Sequence, residues 1–372
     1  MGTACAIGHV SRCNTNAVPG QAKVLSSAAN GIIEFISTSG SDPERVLNTA
    51  GISEMDICHD RKMLDLHSYC ELLEIAAKDS HDSNFGLRYG RNFTPSRLGL
   101  IGDIAIHSPN LSHSLGNLAR YFPYHQQNTY TAFRQNDGYC HLEYRILDGF
   151  ILQRRQDAEL TIGMYLNVVR RCLGNRWSPE EVHFEHPKPE YWHEHESVFN
   201  APVYFNMKTN ALVFREDDLQ RPMPGWTPGQ VRERCDALMA LTSSTGRLSL
   251  SQQVAGEIRA LLPDGYPHIE QVADTLRMTR WTLQRRLADE THVFSDLVEK
   301  VRQRLAQLYL GEAHLPINDI AGILGYSELS AFSRACARWF EAPPSKVRTL
   351  LLESSSQAPA TETWPFQAAA AN

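Results

Sequence analysis

Four side chains within six residues, Arg280, Trp281, Gln284 and Arg285, carry the chemistry needed to read a DNA base edge. A guanidinium fork matches the two acceptors of guanine, and a carboxamide matches the donor and acceptor of adenine. In TRWTLQRRLADE (279–290) a helix would bring these groups together. Thr279 is placed to cap its N-terminus, while Leu283 and Leu287, four apart, must turn inward. That leaves Arg280, Trp281, Gln284, Arg285 and Ala288 on the outer face. A single amphipathic helix bearing arginines is more often a solvated surface helix, so this segment alone decides nothing.

The pattern, however, is written twice. IEQVADTLRMTRWTLQRRL begins at 269 and INDIAGILGYSELSAFSRAC begins at 317, 48 residues later. Ile269, Val272, Ala273 and Leu276 match Ile317, Ile320, Ala321 and Leu324, an i, i+3, i+4, i+7 stripe in each copy. The polar turns Met278-Thr279 and Tyr326-Ser327 then let the chain reverse into a second helix. In the second copy Phe332 and Cys336 take the inward positions, and Ser330, Ser333, Arg334 and Arg338 face outward. Two helix-turn-helix units in tandem are predicted. Between them FSDLVEKVRQRLAQLYLGE (294–312) places Leu297, Val301, Leu305 and Leu308 on one stripe. Some sixteen helical residues span roughly 24 Å, which with the reach to each recognition helix suits successive major grooves about 34 Å apart. One chain can thus present two reading helices without dimerising.

Composition frames the rest. A chain of 372 residues is long for one core, so two domains are expected. With 42% apolar residues, no apolar run of eighteen and no signal-like start, the reading is a soluble, cytoplasmic protein with no membrane partner. Eight cysteines, at 5, 13, 58, 70, 140, 172, 235 and 336, form no C-x-x-C pair, and read as reduced structural thiols. Residues 250–350 hold 12 Lys and Arg against 12 Asp and Glu, so the formal charge of −6 lies elsewhere. A locally neutral module must rely on where its arginines lie, which excludes a general nucleic-acid coat protein.

Upstream of the repeats the pattern is mixed. AKVLSSAANGIIEFIS and DLHSYCELLEIAAKDS have helical spacing, as does LSHSLGNLARYF (111–122), where Leu111, Leu115 and Leu118 align. Gln135-Asn136-Asp137-Gly138 joins NTYTAFR to YCHLEYRI as a β-hairpin. A long helix over about 153–173 and short strands near 181–186 and 211–214 follow. WTPGQ (226–230) reads as the exit from this region, and a helix over about 231–245 with TSSTGRLSLS connects to the repeats. The expected division is therefore a weakly ordered tail 1–21, an α+β domain 22–228, a connecting helix and linker 229–249, an all-α domain 250–350 and a second tail 351–372.

In LQRRLADE, VRQRLAQLYL, INDIAGILGYSELSAFSRACARWF and PPSKVR, in that order, residues 250–350 resemble the DNA-binding domain of the AraC/XylS family of bacterial transcription regulators. The family usually carries Gly where this chain has Thr291 and Glu341. RLGLIGDIAIHSPNLSHSLGNLARYF, WSPEEVHFEHPKP, VFNAPVYFN and LVFREDDLQRPMP give residues 22–228 a more diffuse likeness to the effector-binding and dimerisation domain of the arabinose-binding-like branch. The resemblance implies base contacts from Trp281, Gln284 and Arg285 and from Ser330, Ser333 and Arg334, flanked by Arg280, and phosphate contacts from Lys346 and Arg348. It also implies an activator that works with promoter DNA and RNA polymerase, tuned by a small-molecule effector and dimerising, if at all, through the first domain.

His107, His113, Arg120 and Tyr121 are the candidate effector contacts, although a lone His or Arg beside a helix is more often structural. His183, His186, His193 and His195 offer imidazoles within thirteen residues. Since residues three apart on a strand point to opposite faces, no metal site is expected. Neither is a cofactor or an enzyme: there is no G-x-S-x-G elbow, P-loop, H-E-x-x-H or G-x-G-x-x-G. The alternatives are a catalytic domain fused to a DNA-binding module, or a ligand-independent architectural protein.

Overall fold

The computed structural model describes residues 22–59, 61–242 and 248–357. The expected first tail, the middle of the linker and the chain after 357 lie outside the described residues.

The first half runs β1 (Lys23–Leu25), α1 (Ile32–Thr38), α2 (Pro43–Thr49), α3 (Glu54–Ile57), β2 (Met63–Asp65), α4 (Leu66–Asp79), α5 (Phe85–Asn92), α6 (Leu100–Ile106), α7 (Leu111–His125), β3 (Thr129–Asn136), β4 (Tyr139–Ile146), α8 (Arg155–Leu173), β5 (Glu181–His183), α9 (His193–Phe199), β6 (Val203–Tyr204), β7 (Asn210–Arg215) and α10 (Gln230–Leu241). The second half is helical: α11 (Leu250–Leu261), α12 (Ile269–Thr275), α13 (Arg280–Asp289), α14 (Phe294–Leu310), α15 (Ile317–Ile323), α16 (Leu329–Phe340) and α17 (Pro344–Gln357). This is an α+β domain followed by an all-α one.

Five strands form one sheet in the order β3-β4-β7-β5-β6, antiparallel except for β5 with β6. The expected hairpin closes with Asn136 opposite Tyr139, so the two-residue loop is Asp137-Gly138, with φ of 53° and 81°. Both values are positive, as a turn matched to the strand twist requires, and Asp-Gly is a sequence that accepts them. On β4, Cys140, Leu142, Tyr144 and Ile146 point inward in strict alternation. Behind the sheet lies α8, buried almost all round from Gln156 to Val169, which makes it the central helix of the first core.

One expected helix divides. AKVLSSAANGIIEFIS becomes β1, a single 3-10 turn over Ser26–Ala29 and then α1, because Gly31 sits at φ 87° and restarts the helix. At the other end α17 runs to Gln357, past the expected boundary at 350, because Val347 and Leu351 are buried in the second core.

That second core gathers α11 to α17. Ser249 and Gln252 form a capping box on α11, and the Glu290 carboxylate accepts from the backbone N–H of Leu250 and Ser251 at 2.8 and 2.9 Å. Thr291 and Glu341, the two positions where the family usually has Gly, both adopt left-handed backbone, at φ 61° and 57°. A Cβ there costs about 1 kcal/mol relative to Gly. Thr291→Gly and Glu341→Gly should each therefore stabilise the second domain by roughly 0.5–1 kcal/mol, despite the added chain entropy of glycine. Urea denaturation would check this, and destabilisation by either would show that its side chain does more than endure the turn.

Candidate nucleic-acid interface

Helix α13 begins as its sequence requires. Thr279 is extended at φ −76° and ψ 152°, and its hydroxyl accepts from the N–H of Thr282 at 3.1 Å. Leu283 and Leu287 are buried, while Arg280, Trp281, Gln284 and Arg285 are exposed. The Arg285 guanidinium lies 4.7 Å from the Trp281 ring centre, across one turn. This cation–π contact limits where the fork can swing. Arg280 is instead tied to Glu270 of α12 at 2.8 Å, an exposed pair joining the two helices of the first unit.

The reversal between α12 and α13 is made at Arg277, with φ 54°, and the matching reversal between α15 and α16 at Gly325, with φ 73°. These positions are again 48 residues apart. In the second unit Phe332 and Cys336 are fully buried, Ser330 and Arg334 are exposed and Ser333 is half-buried. Acidic groups crowd this face. Ser330 donates to Glu328 at 3.0 Å, and Arg338 pairs with Glu299.

Joining both units is Arg302 of α14, which periodicity alone does not single out. It is buried, donates to the Gly325 carbonyl at 2.9 Å, and lies between the rings of Tyr266 and Tyr326 at 4.9 and 4.3 Å. One guanidinium thus fixes the linker helix to the turn of the second unit and to the lead-in of the first. Of the two expected phosphate groups, Lys346 is exposed at the start of α17. Arg348 is turned inward, half-buried, and donates to the Leu315 carbonyl at 2.6 Å. A guanidinium so engaged serves the fold, and Lys346 is the better placed of the two.

The candidate effector contacts each meet a local partner. His107 rests its Nδ1 on the Asp103 carbonyl at 2.8 Å, and exposed His113 sits 2.7 Å from Asn110, the α7 cap. Arg120 lies over Tyr121 at 5.5 Å, near Cys235. A small space lies one turn further along α7, walled mainly by apolar side chains such as Tyr69, Phe93, Phe122 and Met164 and reached by the polar residues His125, Gln126, Asp157 and Thr161. About 10 Å³ of it is open to the centre of a water molecule, room for about one. His125 extends the stripe Leu111, Leu115, Leu118, Phe122 at alternating steps of four and three, a signal present in the sequence.

Burial sets the charges here. It pushes the Asp157 carboxyl up to about 7, although the Tyr144 hydroxyl donates to it, and holds the His125 imidazole down to about 3. Because His125 stays neutral in the folded chain but protonates near its ordinary pKa when unfolded, its contribution is fully present above about pH 6.5 and declines as pH falls toward 3. His125→Leu should therefore lower the proton uptake on unfolding at pH 5 by about one. Denaturation at pH 5 and 7 measures this, and an unchanged pH dependence would place the proton elsewhere.

Two of the four clustered histidines do converge, though from outside the strand. His195 and His186 direct Nε2 at Glu159 Oε1, at 2.9 and 3.4 Å, and the Arg155 Nε lies 2.7 Å from the same oxygen. Burial would raise this carboxyl, but Arg155 and His195 outweigh it and hold it well below the usual range. Among the described residues no group of three His, Cys, Asp or Glu is arranged to hold a metal ion.

Residues 40–223 match the model of the arabinose-binding domain found N-terminal in AraC transcription regulators, and residues 272–349 match a helix-turn-helix domain. The chain belongs to the AraC/XylS family. It is a DNA-binding transcription regulator with an arabinose-binding-type first domain. Similar members of this family include the HTH-type regulator VirS of Mycobacterium tuberculosis, 27% identical over 86% of this chain and 94% of its own. The ornithine utilization regulator of Pseudomonas aeruginosa is 23% identical over the same shares. Among solved structures, the regulator CdpR of Pseudomonas aeruginosa aligns over 85% of this chain and 98% of its own, at 20% identity and a TM-score of 0.40. These relatives and both matched domains are regulators, not enzymes. No helix of the described residues is long and apolar enough to cross a membrane.

Proposed function

We propose that this chain is a cytoplasmic activator of transcription whose promoter binding, or action on RNA polymerase, is set by a small molecule held in the first domain. The exposed face of α13 carries the reading: Gln284 and the Arg285 fork beside Trp281 offer paired donors and acceptors to a major groove. Ser330, Ser333 and Arg334 contribute a second contact of lower information, since Glu328 takes the Ser330 hydroxyl. Arg280 steadies the first unit, and Lys346 meets phosphate. The functional division is into residues 22–228 for sensing, 229–249 for connection and 250–350 for DNA, with any dimer contact on the first domain because the second commits its outer faces to DNA. A water-sized, mainly apolar cavity that His125, Gln126 and Asp157 also line, and the arabinose-binding-type domain, support the effector reading.

Genome-wide mapping of binding sites, followed by thermal-shift screening of metabolites from the neighbouring operons, tests it. The expected result is a small set of promoter sites and a metabolite that raises Tm and changes promoter output. Sites spread evenly over the genome, with output indifferent to every metabolite, would favour the architectural reading.

A further inference from the structure

Residues 147–152, which join β4 to α8, belong by sequence to the first domain but pack against the second. A Cβ on Gly149 would lie 2.1 Å from the Gly256 nitrogen, and one on Gly256 would lie 2.3 Å from the Leu147 carbonyl oxygen. Backbone meets backbone here, and neither position has room for a side chain. The Gly149 N–H donates to the Gln252 carbonyl at 3.2 Å, the Gln252 carboxamide donates to Asp148 at 2.7 Å, and Arg145 pairs with Glu257 at 2.8 Å. Arg259 donates to the Ile151 and Leu152 carbonyls at 3.3 and 3.2 Å. Phe150 and Leu152 pack on the second core, with Lys300 and Arg304 of α14 over the Phe150 ring. The reading residues of α13 and α16 take no part in this clasp.

From the clasp the contacts lead back to the cavity. Arg154, buried at the start of α8, donates to the Ile146 and Asp148 carbonyls at 2.8 and 3.3 Å. One turn on, Asp157 accepts from the Tyr144 hydroxyl, which also accepts from Gln126 at 2.6 Å. Gln126 and Asp157 are walls of this space, and His125, which also lines it, has a buried Nδ1 with no hydrogen-bond partner. Anything larger than water must push these walls apart. Asp157 stands two residues into α8, and Tyr144, whose hydroxyl bridges the walls Gln126 and Asp157, lies two residues from the end of β4, so the two elements that hold the loop meet at this bridge.

We propose that the cavity and the clasp are the two ends of one conformational device, in which an occupant that parts Tyr144 from Asp157 shifts residues 147–152 and changes how α11 is held. The occupant is a compact polar molecule that hydrogen-bonds to His125 and donates to Asp157. This rests on the reading that the first domain senses a small molecule.

The test is a double-mutant cycle read as affinity for a mapped promoter site. Tyr144→Phe removes the hydroxyl that ties the walls, and Gly256→Val forces the clasp open. Gly256→Val should increase the radius of gyration in X-ray scattering and change affinity about fivefold or more. Tyr144→Phe should change affinity in the clasped protein and have no effect in the Gly256→Val background. Equal effects of Tyr144→Phe in both backgrounds, no effect in either, or a Gly256→Val protein with unchanged scattering and affinity would each overturn the device. Should Gly256→Val fail to fold, Phe150→Ala is read the same way. The cycle uses no ligand, so a metabolite screen that finds nothing would count against the sensing reading while leaving the cycle to judge the coupling.

Discussion

Arg285→Ala is expected to weaken binding to a mapped promoter site by about 1–3 kcal/mol and to flatten discrimination at one or two base pairs. The argument is geometric. Arg285 is exposed on α13, and Trp281 stacks against its guanidinium at 4.7 Å, so the fork reaches the groove with part of its freedom already removed. Lys346→Ala should instead weaken all sequences alike and lower the salt slope by roughly one unit, as loss of a single phosphate contact does. Titrating native and scrambled sites at several salt concentrations separates the two. If Arg285→Ala weakens both sites equally, Arg285 is a phosphate clamp and the orientation of α13 must be revised. Trp281→Ala, by releasing the fork, should reproduce part of the Arg285 loss without the change in salt slope.

The largest effect on stability should come from Glu185→Ala. Glu185 and Arg154 are buried together, with Arg154 Nη2 donating at 2.9 Å and Nε 2.8 Å from the other carboxylate oxygen, although that N–H is poorly aligned. Arg154 holds the carboxyl below its usual range against the opposing effect of burial. Removing the carboxylate leaves a guanidinium buried without its counter-ion, a cost of about 3–5 kcal/mol. Pairing the change with Arg154→Leu should recover much of it, less what is lost from the donors to Ile146 and Asp148. Denaturant titration of the first-domain transition reads both variants. Equal losses from the single and paired changes would show that the carbonyl contacts of Arg154, rather than the ion pair, carry the effect.

The second domain was readable because each of its helices buries one face against a single core. Leu283, Leu287, Phe332 and Cys336 fall on their stripes, and a local period of 3.6 therefore specifies which side chains remain outside. The first domain was less readable for the opposite reason. Helix α8 is buried on nearly every side, and strands such as β1, β2 and β6 run only two or three residues, too short for alternation to register. The inward turn of Arg348 and the sandwiching of Arg302 depend on partners distant in sequence, Leu315 for one and Tyr266 for the other. The path from α7 into the cavity was legible, since His125 keeps the step of its leucines. Arg120 and Tyr121 drew attention by residue type, whereas position on the stripe leads to the cavity-lining Phe122 and His125.

Leu152 meets Arg259 of α11 about a hundred residues later and Phe150 meets α14 about a hundred and fifty later, which matters to anyone recombining regulators of this kind. A chimera cut in the linker near 247 would pair α11 with a foreign loop. Unless that loop presents glycine opposite Gly256 and an aromatic ring to Lys300 and Arg304, the graft would inherit the reading helices without the seat that orients them. The transferable unit is therefore discontinuous: residues 250–357 together with the six-residue loop 147–152, exchanged as a matched pair.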